Sequence, residues 1–411
     1  MASTFSTHGG DEHSAQRWSA YAADHESHID APVHLKRGSI AMTLDGWAYV
    51  GAFCGSLVLG LVLTPVILRL ATRAGIWDEP GGHKSHSSPV PYLGGLAIVA
   101  SFAIAVGGVA VLRPPPSRLE ELLAILGLGV ALSLVGLYDD LRGLHPLPRL
   151  AAEVTAAVVL ALVGAGVQIF GFDVLNLAFT VMWVVGITNA LNLLDNMDGL
   201  SAGVAAIASV TFFIIAAVHG QYLVAGLAIA LAACALSFLR HNFHPARIYM
   251  GDAGSLFIGF VLAAIGLKLR FYGPTQVTFF VPVLVLGIPI LDTSVVTATR
   301  LLHGRSPFQG GRDHISHRLV FVGIPVPVAV ALIHGAAIAH GWIALVMSRV
   351  DTTTGFILLA LVVAIDVFIG VLLANVPVYE TSRQRRLMIQ EVQQHEPEPD
   401  ASSGLQGEAR A

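Results

Sequence analysis

About eleven apolar runs, each near the roughly 20 residues that an α-helix needs to cross a bilayer, divide this chain and leave one fold class open to it. They lie near 46–70, 93–112, 121–138, 151–169, 176–193, 199–218, 221–239, 254–270, 277–300, 325–347 and 353–376. A segment surrounded by lipid must satisfy its backbone N–H and C=O groups internally, which a helix does within itself. The expectation is an all-α, polytopic integral membrane protein. Of the 411 residues, 55% are hydrophobic and only 12% charged, about half the charged share of a soluble protein. The net charge of −4 names no partner and offers nothing to nucleic acid. Cys54 and Cys234 lie in apolar runs and read as buried packing residues, without disulfide or zinc spacing.

Two polar ends flank the membrane domain, which is expected over 45–376. Residues 1–44 carry His8, His13, His25, His28 and His34 and lack the basic start and apolar core of a secretory signal. They read as a disordered tail, with metal binding by scattered histidines as the alternative. Residues 377–411 form a second polar tail.

Basic residues set the orientation. With the amino terminus outside and the carboxy terminus inside, the inner connections and tail hold fourteen Lys and Arg, against five in the outer connections. Five polar clusters then share the inner, cytoplasmic face: Lys84–Gly95, Asp139-Asp140, Asn189–Gly199, Asn242–Ser255 and Arg305–Leu319. Carboxylates in or beside a bilayer are costly and mark function by default. A transporter places such groups near the midplane, so gathering at one surface points to chemistry on a soluble substrate.

Each cluster admits a functional and a bland reading. Asp139 and Asp140 are neighbours on a helix, about 100° apart, so they should have separate tasks. Otherwise they are a solvated helix end beside Arg142. Asn189, Asn192 and Asp195 recur every three residues and share one helical stripe, followed by Asp198 and Gly199. Such a stripe binds a cation or water, or else joins helices. Asp252, between glycines at a helix start, either caps that helix or meets phosphate and magnesium together with Asn192. Arg305, Arg312, His314, His317 and Arg318 surround Gly310-Gly311 in a cationic loop suited to a pyrophosphate. Lys84 reads as a mobile phosphate-binding charge or an ordinary surface lysine.

Taken in order, K-x-H-x-x-P-V-P-x-x-G-G, D-D, N-x-x-N-x-x-D-x-x-D-G-L, N-F-x-P-A-R-I-x-M-G-D-x-G-S and H-x-x-H-R resemble the motif set of the polyprenyl-phosphate N-acetylhexosamine-1-phosphate transferases, of glycosyltransferase family 4 type. The resemblance covers roughly residues 46 to 320. It implies transfer of a sugar-1-phosphate from a UDP-N-acetylhexosamine to undecaprenyl phosphate, releasing UMP, at the bacterial inner membrane. It implies Mg2+ on Asn192 and Asp252, with Mn2+ as a substitute ion. Asp139, Asp140, Asp195 and Asp198 match the acidic motifs, and His314 and His317 the histidine motif, as catalytic candidates. Lys84, Asn189, Arg305, Arg312 and Arg318 are the substrate-binding candidates, and a homodimer fits the resemblance.

The peptidoglycan branch, which transfers phospho-MurNAc-pentapeptide, usually shows three consecutive histidines in the last loop. Here the loop reads HISH after SPFQGGRD, closer to the branch that starts O-antigen, teichoic acid or other surface polysaccharides. Ser316 departs even from the HxHH form common there. Asp139 is the candidate base at the lipid phosphate, and an aspartyl-phosphate intermediate is the competing route. The rivals are the peptidoglycan-branch enzyme and, in a different class, a secondary transporter.

Overall fold

The computed structural model describes residues 44–78, 89–112, 118–271, 276–308 and 310–379. The histidines of the amino-terminal tail, Lys84 and the chain beyond Tyr379 lie outside them. The first eight helices are α1 (Leu44–Ala74), α2 (Gly94–Leu112), α3 (Leu119–Arg142), α4 (Pro146–Leu160), α5 (Asp173–Leu194), α6 (Leu200–Val218), α7 (Tyr222–Asn242) and α8 (Gly251–Lys268). Then come a 3-10 turn (Gln276–Phe280), α9 (Val281–Val285), α10 (Gly287–Leu302), α11 (Ile315–Phe321), α12 (Val326–Met347) and α13 (Thr352–Ala374).

Among the described residues, 10 helices are long and apolar enough to cross a membrane. The expected straight span over 277–300 is instead a bent pair, Val277–Val285 and Gly287–Leu302, turned by 76°. Pro289 lacks an N–H and is tolerated only because it falls in the first turn of α10. Gly287 leaves room for the His340 ring, which a Cβ there would approach to 2.5 Å. The pair still traverses the same thickness as α13. Gly355, near the start of α13, packs on Val277, whereas Arg318 joins Thr299 to the last carbonyls of α13. Counted as one broken span, the pair brings the candidate crossings among the described residues to eleven.

α8 is the centre of the bundle. Nearly every residue in it is buried, and it packs on α2, α3, α5, α6 and α7. Its charged end is neutralised locally, with Lys268 Nζ 2.5 Å from Glu121 Oε2. Small residues let backbones approach closely where no water drives helices together. A Cβ on Gly95 would stand 2.2 Å from Gly254 N, and one on Gly136 2.4 Å from Asp252 O. α2 and α3 thus rest directly on the first turn of α8. Gly95→Val should cost about 1–3 kcal/mol or more through overpacking against backbone. Thermal unfolding in detergent checks this, and an unchanged midpoint would mean the helices do not meet there.

Two details depart from expectation. Trp77–Asp78 pairs antiparallel with Val90–Pro91, a short strand pair in an otherwise helical chain. The Pro91 carbonyl accepts from Tyr249 N (2.9 Å), which docks this hairpin on the entry to α8. Cys234 is buried, but Cys54 is exposed on α1, so only one cysteine packs inside.

Candidate active site

At the end of the bundle where α8 begins, Asp140, Asn192, Asp195, Asp198, Asp252 and His317 line one cleft of about 270 Å³. Asp78, Tyr92, Asn196, Tyr249 and Gly311 complete much of its wall. Residues from four of the five polar clusters therefore meet at one place, and Tyr92 belongs to the fifth. Inner helices supply the floor, while the hairpin and the loop before α11 supply the sides.

The acidic pair divides as its helical spacing demands. Asp140 accepts from the backbone N–H of Asp252 (2.8 Å) and Ala253 (3.1 Å), so a carboxylate from α3 satisfies the first turn of α8. Gly251 has φ +72°, and a Cβ there would come within 2.6 Å of Asp140 Oδ2. Glycine is what allows this approach. Asp139 turns elsewhere, accepting from Leu144 N (2.6 Å) and from Arg149 (3.3 Å). It is not among the residues lining the cleft, but it shares Arg149 Nη1 with Asp252, which does line it.

Arg149 is the cation of the site that sequence reasoning treated only as a topology signal. Its Nη1 donates to Asp252 Oδ2 (2.9 Å), and its Nε lies 3.9 Å from Glu153 Oε1. Glu153 is fully buried and accepts from Asn189. Asn189 thus lies one turn below the cleft, where it braces Glu153 and is not among the lining residues. Asn192 donates its amide to Asp252 Oδ1 (2.8 Å) and Ser255 Oγ (2.9 Å), orienting the carboxylate from the opposite side to Arg149.

The Asp195 backbone N–H donates to Asn192 O (3.2 Å), but no described side chain or amide is bonded to its carboxylate. Burial first, then the charges of Asp252, Asp140 and Asp198, push its carboxyl up to about 7. Asp198 instead accepts from Ala246 N (3.0 Å) and pairs with the His244 ring (2.8 Å). Tyr92 and Tyr249 meet edge to face with centroids 6.3 Å apart. Burial and hydrogen bonds to Asp78 and Asp198 respectively raise both phenols.

The donor set consists of hard oxygen atoms, which suits magnesium. Among the described residues, no three acidic, histidine or cysteine side chains converge on one point. That fits an ion taking one or two protein carboxylates and completing its shell with phosphate and water. Among the described residues, the lining has no lysine or arginine to meet a diphosphate. A cluster of carboxylates receives such a ligand only with cations.

The last loop is anchored by acids that the sequence reading did not single out. Asp292 accepts from the His314 ring (2.7 Å) and Ile315 N (2.7 Å), placing His314 behind the cleft. His317, one helical turn on, lines it with Nδ1 buried and without a hydrogen-bond partner. Burial, then the neighbouring His314, lowers its imidazole to about 4. Ser316 is buried and donates to Asn196 Oδ1 (2.7 Å), joining this loop to the acidic turn after α5.

The loop's arginines do not reach the cleft. Arg318 is fully buried and donates to Asp313 O (2.7 Å) and Leu373 O (2.9 Å), so it ties the loop to the end of α13 and lies outside the cleft lining. Arg305 stacks on Tyr379, and Arg312 is exposed outside the lining. Arg300 grips Asp313 through two hydrogen bonds (2.8 and 2.7 Å). Burial alone would raise that carboxyl, but hydrogen bonds from Arg300 and Tyr379 hold it at about 2.

Comparison with known proteins adds a second line of observation. Residues 122–270 match the model of "Glycosyl transferase family 4". The chain is 32% identical over 295 residues to a "Probable undecaprenyl-phosphate N-acetylglucosaminyl 1-phosphate transferase" of Bacillus subtilis, covering 69% of this chain and 81% of that protein. It is 32% identical to a "Decaprenyl-phosphate N-acetylglucosaminephosphotransferase" of Mycolicibacterium smegmatis, covering 75% and 84%. A "Phospho-N-acetylmuramoyl-pentapeptide-transferase" of Limosilactobacillus fermentum is 31% identical, over 56% of this chain and 76% of that protein.

Proposed function

The chain belongs to glycosyl transferase family 4, and from that premise we propose that it transfers N-acetylglucosamine-1-phosphate from a UDP-sugar to undecaprenyl phosphate, releasing UMP. The observation that carries this reading is the single cleft, at one end of the membrane helices, walled by Asp140, Asn192, Asp195, Asp198, Asp252 and His317. A soluble nucleotide sugar reaches such a site from water, and a phosphate on an isoprenoid reaches it from lipid. The site faces the cytoplasm of a bacterial inner membrane, and the product begins a cell-envelope polysaccharide such as O-antigen or teichoic acid.

A lipid phosphate oxygen attacks the sugar-linked phosphorus. A P–O bond forms there as the bond to the bridging oxygen of UMP breaks, so one phosphoanhydride replaces another and no ATP is consumed. Such transfers depend chiefly on positioning and electrostatics. Asp252 and Asn192, already joined by a hydrogen bond, would hold Mg2+, and the ion would supply charge neutralisation for the phosphates. Asp140 fixes the α8 end against which the donor rests. Arg149, already at Asp252 and Asp139, is placed to meet the acceptor phosphate. His317 faces the donor side from the loop.

Incubating membranes with UDP-GlcNAc, UDP-GalNAc or UDP-MurNAc-pentapeptide should yield UMP from UDP-GlcNAc, with EDTA stopping release and Mg2+ restoring it. Release from the pentapeptide donor alone would transfer the protein to the peptidoglycan branch.

A further inference from the structure

The loop carrying His314 and His317 is held from behind by a residue outside the cleft. After α13 ends at Ala374, the chain returns beneath the loop to Tyr379. Tyr379 Oη donates to Asp313 Oδ2 (2.5 Å), on the residue just before His314, and lies 3.3 Å from Thr299 Oγ1. The Arg305 guanidinium stacks over its ring, 4.4 Å from the centroid, and the His303 ring is 4.7 Å away. One side chain thus grips the loop both at its start, through His303 and Arg305, and at its end, through Asp313.

Arg300 also holds this segment, donating to Pro307 O (2.7 Å) and to both Asp313 oxygens (2.7 and 2.8 Å), but it does not touch the Arg305 guanidinium. Leu302 and Phe308 are 83% and 77% exposed, so no apolar burial pins it. Gly304 has φ +65°, and Gly310 and Gly311 follow, which leaves many backbone states to suppress. Ordering comes from polar grips, and Tyr379 is the side chain that joins the start of the segment, at Arg305, to its end, at Asp313.

We propose that Tyr379 is a positioning residue for the nucleotide-sugar donor: it clamps Arg305 and Asp313 so that Gly311 and His317 stand at the cleft wall before the donor arrives. This rests on the reading that the donor occupies that cleft. A site formed only part of the time binds with an apparent affinity reduced by that fraction. The clamp therefore acts on donor binding. It acts neither on the acceptor, which approaches from lipid, nor on the chemical step once the donor has closed the loop.

Tyr379→Phe keeps the ring and removes the hydroxyl, and Tyr379→Ala removes both. In full-length protein, Tyr379→Phe should raise KM for UDP-GlcNAc about 3- to 10-fold, leaving kcat and the acceptor's KM within about twofold. Tyr379→Ala should raise the donor's KM further. Without substrate, amide exchange over 303–318 should quicken in Tyr379→Phe and return to the wild-type rate with saturating UDP-GlcNAc. An unchanged donor KM with unchanged exchange overturns the proposal. So does an equal rise of both KM values with a lowered unfolding temperature, since that is general loosening. If wild-type protein releases no UMP from any donor, the parent reading fails, and amide exchange alone still decides whether Tyr379 orders the loop.

Discussion

Replacing Asp252 by alanine should lower UMP release by about 10³-fold or more while leaving the protein folded in the membrane. The reason lies in which atoms of residue 252 do what. Its backbone N–H, together with that of Ala253, receives Asp140 and closes the first turn of α8. An alanine keeps both amides, so the helix start survives. Its carboxylate is held between Asn192 on Oδ1 and Arg149 on Oδ2. Arg149 retains Asp139 when Asp252 is lost, so no guanidinium is stranded. What disappears is the carboxylate best oriented to hold a cation against incoming phosphates. Asp140→Ala should behave differently, exposing two amides of a buried helix start and lowering stability together with activity. UMP release measured beside thermal unfolding separates the two variants. Turnover near wild type in Asp252→Ala would remove the cation role altogether.

The membrane bundle was legible because lipid imposes a length and a composition that a sequence cannot conceal. Even so, a run of apolar residues does not say that it bends. Gly287 and Pro289 are visible in 277–300, but the His340 ring that packs at the break comes from α12. The stripe of Asn189, Asn192 and Asp195 was readable from its spacing, yet spacing could not say where the stripe leaves the cleft. Glu153, from α4, takes Asn189 one turn below it. Asp139 and Asp140 were separable by helical angle, but which faced α8 depended on Gly136 admitting that helix. Arg149 looked like one positive charge among many in the inner loops. Asp292, a lone acid within an apolar run, was the signal available for the anchor of His314 and was passed over. Tyr379 offered none, because its partners lie 66 and 80 residues away.

Replacing His317 by alanine should lower kcat/KM for the donor by about 10²- to 10³-fold, within the range for loss of an acid–base or phosphate-facing group. His314 and His317 stand one turn apart, but their surroundings assign them different work. His314 is spent on Asp292, which holds its ring and caps the following turn, so its substitution should disturb the loop as a whole. His317 has no such partner. Its Nδ1 is buried without a hydrogen bond, a costly condition unless a ligand completes it. With its imidazole lowered to about 4 by burial and by His314, it is neutral in the free protein at pH 7. It can therefore accept a hydrogen bond from, or take a proton on, the donor side. kcat/KM reports the free enzyme. On this account His317 gives the wild-type profile no limb near the ordinary imidazole value, its own limb lying near pH 4, and a limb near 7 belongs to the Asp195 carboxyl. His317→Gln keeps a hydrogen-bonding side chain of similar reach but cannot take the proton. If it recovers most of the lost rate, the residue binds; if it stays as slow as alanine, the residue moves a proton. A His317→Ala protein as fast as wild type would make the loop a structural element only.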